Sequence, residues 1–218
     1  MDGIQSRVLK AINGRGSYGV FDEDHCEKSG RRDLLRRSLL WHRAADNPAL
    51  VRIPFPANHH GAPSWSWMAY VGEIDFLQPR FGDIEWMEIQ TPWSNGVKSL
   101  AAQIDEPGRG GVVQGVNAAL CARVRGISDI VNKETEGMLF FDIPSEMLGN
   151  SCAQMWCVVL GVERGEHGLP LASRRHYFML VRPSGPTSGV ASELYERAGV
   201  GYLPGRCLSA EGHRIWIH

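Results

Sequence analysis

Two pairs of side chains in this sequence have the residue types needed for acid–base chemistry. His59 and His60 are adjacent, and Glu73 and Asp75 follow two positions apart. A histidine titrates near neutral pH and can move a proton. Two carboxylates about 7 Å apart on one strand face can divide the roles of acid and base. These four are the candidate catalytic residues; the structural alternatives are loop histidines in solvent and the solvent face of a hairpin.

Aromatic side chains cluster around the same part of the chain. Residues 62–77 alternate in a way that predicts a strand with Trp65 and Trp67 on one face, then a turn and a second strand, which together form a hairpin. Each indole can bury on the order of 150–250 Å². Where such rings line a pocket, they suit a flat hydrophobic or aromatic small molecule. The candidate ligand-binding residues are Trp65, Trp67, Tyr70, Trp86 and Trp93.

Metal and cofactor motifs are poorly matched. The sequence GRGSYG at positions 14–19 has the spacing of a dinucleotide loop, but it follows a helical pattern rather than a buried strand, so we expect an ordinary loop. The cysteines lack zinc-finger spacing, and Cys121, Cys152 and Cys157 are expected in the core. No GxSxG or phosphate-loop motif occurs. We therefore expect no metal site and no cofactor.

The PSWSW segment at positions 63–67 carries a family resemblance. With SLLW at 38–41, FGDIEW at 81–86 and YERAGVGY at 195–202, in that order, it resembles the region downstream of the HET domain in fungal heterokaryon-incompatibility proteins. The resemblance spans roughly residues 34–203. The HET domain itself, thought to carry the cell-death activity of that family, has no counterpart here. The resemblance implies a fungal origin and a shared C-terminal module, without implying a reaction.

Length, composition and charge are those of a soluble globular domain. The chain has 218 residues, of which 43% are hydrophobic and 22% charged, with a formal net charge of −1. That charge argues against a dedicated nucleic-acid binder. No apolar run reaches the roughly 18 residues of a membrane span, and the first ten residues lack the apolar core of a secretory signal. An odd number of cysteines suits a reducing compartment, so the expected location is cytoplasmic.

The order of local patterns predicts a mainly β fold. Helical spacing is confined to residues 1–12 and 33–45, where Asp33 suits an N-cap, and to a short turn at 193–198. Strand patterns cover 50–53, 84–90, 116–124, 138–143, 154–162 and 177–181, with two short strands at the end and a long loop at 91–111. We predict one domain over 1–218, an antiparallel β-sandwich or partly closed β-barrel with two or three short helices. A helical segment, about 1–46, should pack on it.

Two functions remain open on this basis. The resemblance implies a stand-alone recognition or regulatory module with an aromatic-lined site that binds a protein partner in the cytoplasm. The alternative is a cofactor-independent isomerase, cyclase or lyase of fungal secondary metabolism. It would hold its substrate beside the hairpin of Trp65 and Trp67 and move a proton with a histidine or carboxylate.

Overall fold

The computed structural model describes residues 2–12, 14–22, 33–46, 49–54, 61–80, 82–93, 118–128, 137–143, 155–165, 169–184 and 194–218. Helix α1 spans Asp2–Ile12 and helix α2 spans Leu34–Ser38. The strands are β1 (Arg15–Ser17), β2 (Val20–Asp22), β3 (Trp41–Arg43), β4 (Val51–Arg52), β5 (Tyr70–Val71), β6 (Ile74–Phe76), β7 (Ile84–Trp86), β8 (Leu120–Ile127), β9 (Met138–Phe141), β10 (Trp156–Glu163), β11 (Arg175–Pro183), β12 (Leu194–Pro204) and β13 (Leu208–Ile217).

Five of these strands close into a β-barrel. β8 pairs with β10 and β13, and β11 pairs with β10 and β12, all antiparallel. A short parallel pairing of β12 with β13 completes the ring, while β7 adds to β10 and β9 adds to β12. Closure leaves no open edge among the five barrel strands. The predicted mainly β, single-domain fold is confirmed, with the barrel fully closed rather than partly open.

The barrel strands owe their stability to burial on alternating faces. On β8, Leu120, Ala122 and Val124 pack into the larger apolar cluster, while Arg123 and Arg125 project from the opposite face. β10 and β11 bury side chains on both faces. On β10, Val158 and Leu160 pack into the same apolar cluster as Leu120, whereas Cys157 and Val159 pack into a second cluster on the opposite face, and β11 alternates in the same way. A strand buried on both faces reads as a continuous apolar run. This explains why the segments 156–162 and 177–181 were recognisable as strands from the sequence.

The second predicted helix is wrong beyond its first turn. Helix α2 ends at Ser38, and β3 begins three residues later at Trp41 and pairs with β6. Leu39, Leu40 and Trp41 are all fully buried, and three consecutive residues cannot share one face of a helix. Pairing with β6 therefore overrides the helical pattern. Asp33 makes no side-chain cap; it forms an ion pair of 3.0 Å with Arg37 instead.

The predicted tryptophan hairpin is wrong in its first strand and in its pairing, whereas its second strand is observed as β6. Residues 64–66 form a turn and Trp67–Ala69 a single turn of 3-10 helix, while β5 pairs with β4 and β6 pairs with β3. The two serines of PSWSW explain the departure, because serine hydroxyls that bond to the backbone compete with strand formation. Ser66 Oγ donates to the carbonyl of Tyr18 at 2.6 Å and accepts from the amide of Met68 at 3.0 Å. Ser64 Oγ accepts from the Arg197 amide at 3.0 Å.

Near the C-terminus, strands replace a predicted helical turn. Residues 194–204 form one long strand, β12, and residues 208–217 form β13, where two short strands were expected. β12 pairs with β11 over nine residues, and such pairing can override a weak local preference. The other predicted strands correspond to β4, β7, β8, β9, β10 and β11. Most of the predicted loop, from residue 94 onward, lies outside the described residues.

The glycine motif at 14–19 forms a β-hairpin. Tyr18 and Gly19 have φ values of 54° and 74° and join β1 to β2, as in a two-residue turn with positive φ at both positions. The motif therefore forms a strand and a tight turn where an ordinary loop was expected, and it leads into strand β2 rather than a helix. Cys121 and Cys157 are buried, as predicted, and Cys152 lies outside the described residues.

Candidate functional site

A cleft of about 500 Å³ opens beside β8. Its polar lining residues are three arginines, Glu88 and Gln90, and its apolar lining includes Met87 and Val159. The three arginines are Arg123, Arg125 and Arg214. We call this site the arginine cleft.

The cleft forms where β10 changes partner. One end of β10 pairs with β8 at residues 124–126, and its other end pairs with β7. A register shift between Val159 and Gly161 bends β10 between the two pairings. The chain after β7 then reaches β8 through two hydrogen bonds of 2.9 Å between Gln90 and Cys121. Ala122 and Arg123 lie between these pairings, so the pairing along this edge of β8 is interrupted at these two residues.

The arginines meet because of the register of β8 against β13. Arg214 stands directly opposite Arg123, and Arg125 lies two residues further along the same face of β8. Directly opposed residues have Cβ atoms about 4.5–5.5 Å apart, where like charges destabilise the sheet. Arg123 Nε donates to the carbonyl of Gly212 at 3.0 Å. None of the three arginines forms an ion pair within the residues that the structure describes.

Gly212 makes room for the guanidinium groups. It stands opposite Arg125 on β13. A Cβ at this position would lie 3.2 Å from Arg123 Nε and 3.2 Å from Arg125 Cγ, and would collide with the carbonyl of Val124. The absence of a side chain on Gly212 therefore keeps the space beside the arginines open.

Two of the four predicted catalytic residues are described, and neither lines this cleft. His59 and His60 fall outside the described residues. Glu73 and Asp75 are exposed near β6, in keeping with the solvent-face alternative, and neither lines the cleft. Asp75 Oδ1 accepts a hydrogen bond of 2.7 Å from the amide of Phe76.

Three of the candidate ligand-binding tryptophans, the two of the PSWSW segment and Trp93, form hydrogen bonds within the protein. Trp65 is fully buried, and its indole donates to the carbonyl of Ala118 at 2.9 Å. Trp67 donates to the carbonyl of Gly19 at 3.3 Å, and Trp93 to Asp22 Oδ2 at 3.0 Å. The indole N–H groups are thus directed at the protein itself.

The other two candidate aromatic residues lie in separate places. Trp86 is half-buried beneath the guanidinium of Arg37, 5.4 Å from its ring centre. Tyr70 packs on Trp41 with ring centres 5.4 Å apart. None of the five candidate aromatic residues lines the arginine cleft.

Arg197 and Asp142 form a buried ion pair near Tyr70, and the sequence analysis did not predict it. Arg197 on β12 donates from Nε and Nη2 to the two carboxylate oxygens of Asp142 at 2.9 and 3.2 Å. It also donates to the carbonyls of Leu39, at 3.0 Å, and of Trp41. Its guanidinium carbon lies 3.4 Å from the centre of the Trp41 ring. No local motif marks either partner, since they are 55 positions apart.

Titratable groups gather near this ion pair. Burial raises the pKa of Tyr70 to about 12, and the Asp142 carboxylate adds to the rise. Burial lowers the pKa of His218, whose Nε2 lies 2.7 Å from Ser184 Oγ in a hydrogen bond. Glu196 accepts from Arg182 at 2.8 Å and from Arg52 at 3.3 Å. Arg52 and Glu196 act electrostatically on both the Tyr70 phenol and the His218 imidazole. We call Tyr70, Ser184, Glu196 and His218 the tyrosine cluster.

Across the described ranges, no three His, Cys, Asp or Glu side chains are grouped so as to hold a metal ion. Neither helix in those ranges is long and apolar enough to cross a membrane. Comparison with protein-family models, curated proteins and solved structures produces no match for this chain.

Proposed function

We propose that this chain is a recognition module that binds an anionic group in the arginine cleft. Arg123 and Arg214 stand opposite each other, and neither forms an ion pair with a described residue; this observation carries the proposal. Like charges placed directly opposite each other cost stability, and a bound anion would offset that cost. The recognition role agrees with what the resemblance to the C-terminal region of HET proteins implies.

The chemistry of the cleft suits such a ligand. A guanidinium presents its donors in a planar fork that matches the oxygens of carboxylate and phosphate groups. Hydrogen bonds to charged groups contribute about 1.5–3 kcal/mol each. The volume of about 500 Å³ lies within the range of small-molecule sites. We therefore expect the ligand to be bound by hydrogen bonds from arginine guanidinium groups rather than by stacking on the tryptophan rings.

Anion titration tests this function. We expect acetate, sulfate or inorganic phosphate to shift the amide NMR signals of residues 123, 125 and 214. Arg123→Gln or Arg214→Gln should each raise the dissociation constant about 10-fold or more, since each removes a charged hydrogen-bond donor group. Arg80→Gln, at an exposed arginine outside the cleft, is the matched control and should leave the affinity unchanged. Equal affinities in all variants, or no shift at these amides, would refute the proposal.

A second candidate function is a cofactor-independent enzyme that moves a proton at the tyrosine cluster. The residue types support it: Tyr70 carries a phenol and His218 an imidazole, and the charges of Arg52 and Glu196 act on both groups. Isomerases and cyclases that work through an enol need such an acid and base. Ketones with acidic C–H groups are the substrate class for this chemistry.

Hydrogen–deuterium exchange tests the enzyme function. In deuterated buffer, the protein should accelerate exchange at the carbon next to the carbonyl of a small cyclic ketone, as followed by NMR. Tyr70→Phe and His218→Gln should each slow that exchange about 10²-fold or more. Tyr202→Phe, which changes a half-buried tyrosine beside Arg175, is the control. Exchange at the buffer rate with the unaltered protein would eliminate this candidate.

A further inference from the structure

We infer that the ligand of the arginine cleft is an organic phosphomonoester, in which a dianionic phosphate is attached to a small, uncharged organic group. This inference rests on the proposed function and narrows it to one ligand class. The lining carries three guanidinium groups and one carboxylate, so two positive charges are in excess. A phosphomonoester carries about −1.5 to −2 charges at pH 7. A monocarboxylate would leave one arginine unmatched.

The placement of the arginines favours a tetrahedral anion. Arg123 and Arg214 stand side by side on the same face of two paired strands, and Arg125 lies two residues along β8 on that face. Three guanidinium groups so spaced can each donate to a different oxygen of one anion. A phosphate offers three terminal oxygens pointing apart, whereas a carboxylate offers two in one plane. Because Arg123 Nε donates to Gly212, its two terminal nitrogens are the ones that can face the ligand.

The rest of the cleft has room for an organic group attached to the phosphate. A cleft of about 500 Å³ is of the size that holds a whole small molecule. Met87 and Val159 provide apolar surface, and methionine adapts its shape to a varied partner. Gln90 adds a hydrogen-bonding amide to the same lining.

Glu88 limits which functional groups the organic part of the ligand can carry. Its carboxylate lines the same cleft as the arginines. A second phosphate or a carboxylate on the ligand would be repelled by it, while a hydroxyl or amine could donate a hydrogen bond to it. The cleft therefore selects a single phosphate group over a polyphosphate or a nucleic-acid backbone.

Three probes test the inference at pH 7.5: phenyl phosphate, benzoate and inorganic phosphate, titrated into labelled protein and followed by NMR. Phenyl phosphate should bind at least 10-fold more tightly than either of the others. Met87→Ala should weaken phenyl phosphate binding several-fold and leave inorganic phosphate binding unchanged. Arg214→Lys should give an affinity between the unaltered protein and Arg214→Gln, because it keeps the charge and loses the fork.

Each outcome decides between the two proposals. Benzoate binding as tightly as phenyl phosphate, in an arginine-dependent manner, would overturn the phosphomonoester and leave anion recognition standing. If inorganic phosphate binds as tightly as phenyl phosphate, the proposed organic group on the ligand is overturned and phosphate binding stands. Absence of binding by all three probes, and by the acetate and sulfate titrations, would overturn both. Thermal unfolding of each variant verifies that these substitutions leave the fold intact.

Discussion

Asp142→Ala is expected to lower the free energy of unfolding by about 3–5 kcal/mol. The substitution leaves the guanidinium of Arg197 buried without its counter-ion, since the two side chains are only 3% and 0% exposed. A buried charge that loses its partner cannot recover its solvation without opening the structure. Urea unfolding followed by tryptophan fluorescence measures the change.

A matched control separates this effect from ordinary loss of an ion pair. Asp33 and Arg37 form a pair of similar length, 3.0 Å, on a single helical turn, and both side chains are partly exposed. Asp33→Ala should therefore cost only about 0.3–0.5 kcal/mol. If Asp142→Ala costs no more than Asp33→Ala, the Arg197–Asp142 pair is not the buried, desolvated interaction that the geometry describes.

Trp65→Ala should also lower the free energy of unfolding by about 3–5 kcal/mol, as expected for a large aromatic side chain removed from a core. Trp65 is fully buried and contacts Tyr18 and Trp93 edge-on, with ring centres 6.0 and 6.3 Å apart. Its backbone carbonyl also accepts a hydrogen bond of 3.0 Å from the Trp41 indole. Chemical denaturation of the purified variant provides the measurement.

The same substitution discriminates between a structural and a ligand-binding tryptophan. Trp65→Phe should have a smaller cost than Trp65→Ala, because it keeps most of the apolar volume and loses the donor to Ala118. Trp156→Ala is the control: this partly buried ring packs edge-on against the exposed His213 and should cost less. A Trp65→Ala protein that unfolds like the unaltered chain would restore the hypothesis of a ligand-stacking ring.

The fold class could be predicted because strand burial repeats every second residue. Leu120, Ala122 and Val124 show this period directly in the sequence. The errors occurred where one long-range contact outweighed the local pattern. Trp41 follows a helical segment but pairs with Phe76 in a sheet, and Arg197 lies in a stretch of helical pattern but belongs to β12.

The candidate site was harder to predict than the fold. Arg123 and Arg125 are visible in the sequence as alternate residues of a strand, which gives one face with two charges. Arg214 is remote from them along the chain and becomes part of the site only because β13 pairs with β8 in one register. A shift of one residue would turn it to the other face of the barrel.

The strands at 120–124, 138–141, 156–162 and 177–181 could be predicted from the sequence, because the period of apolar residues is a local property. Which of these strands are neighbours depends on the tertiary structure. Closure of the barrel placed Arg123 opposite Arg214 and brought Arg197 onto Asp142. The physical reason is that pairing register and burial of charge depend on contacts between residues far apart along the chain.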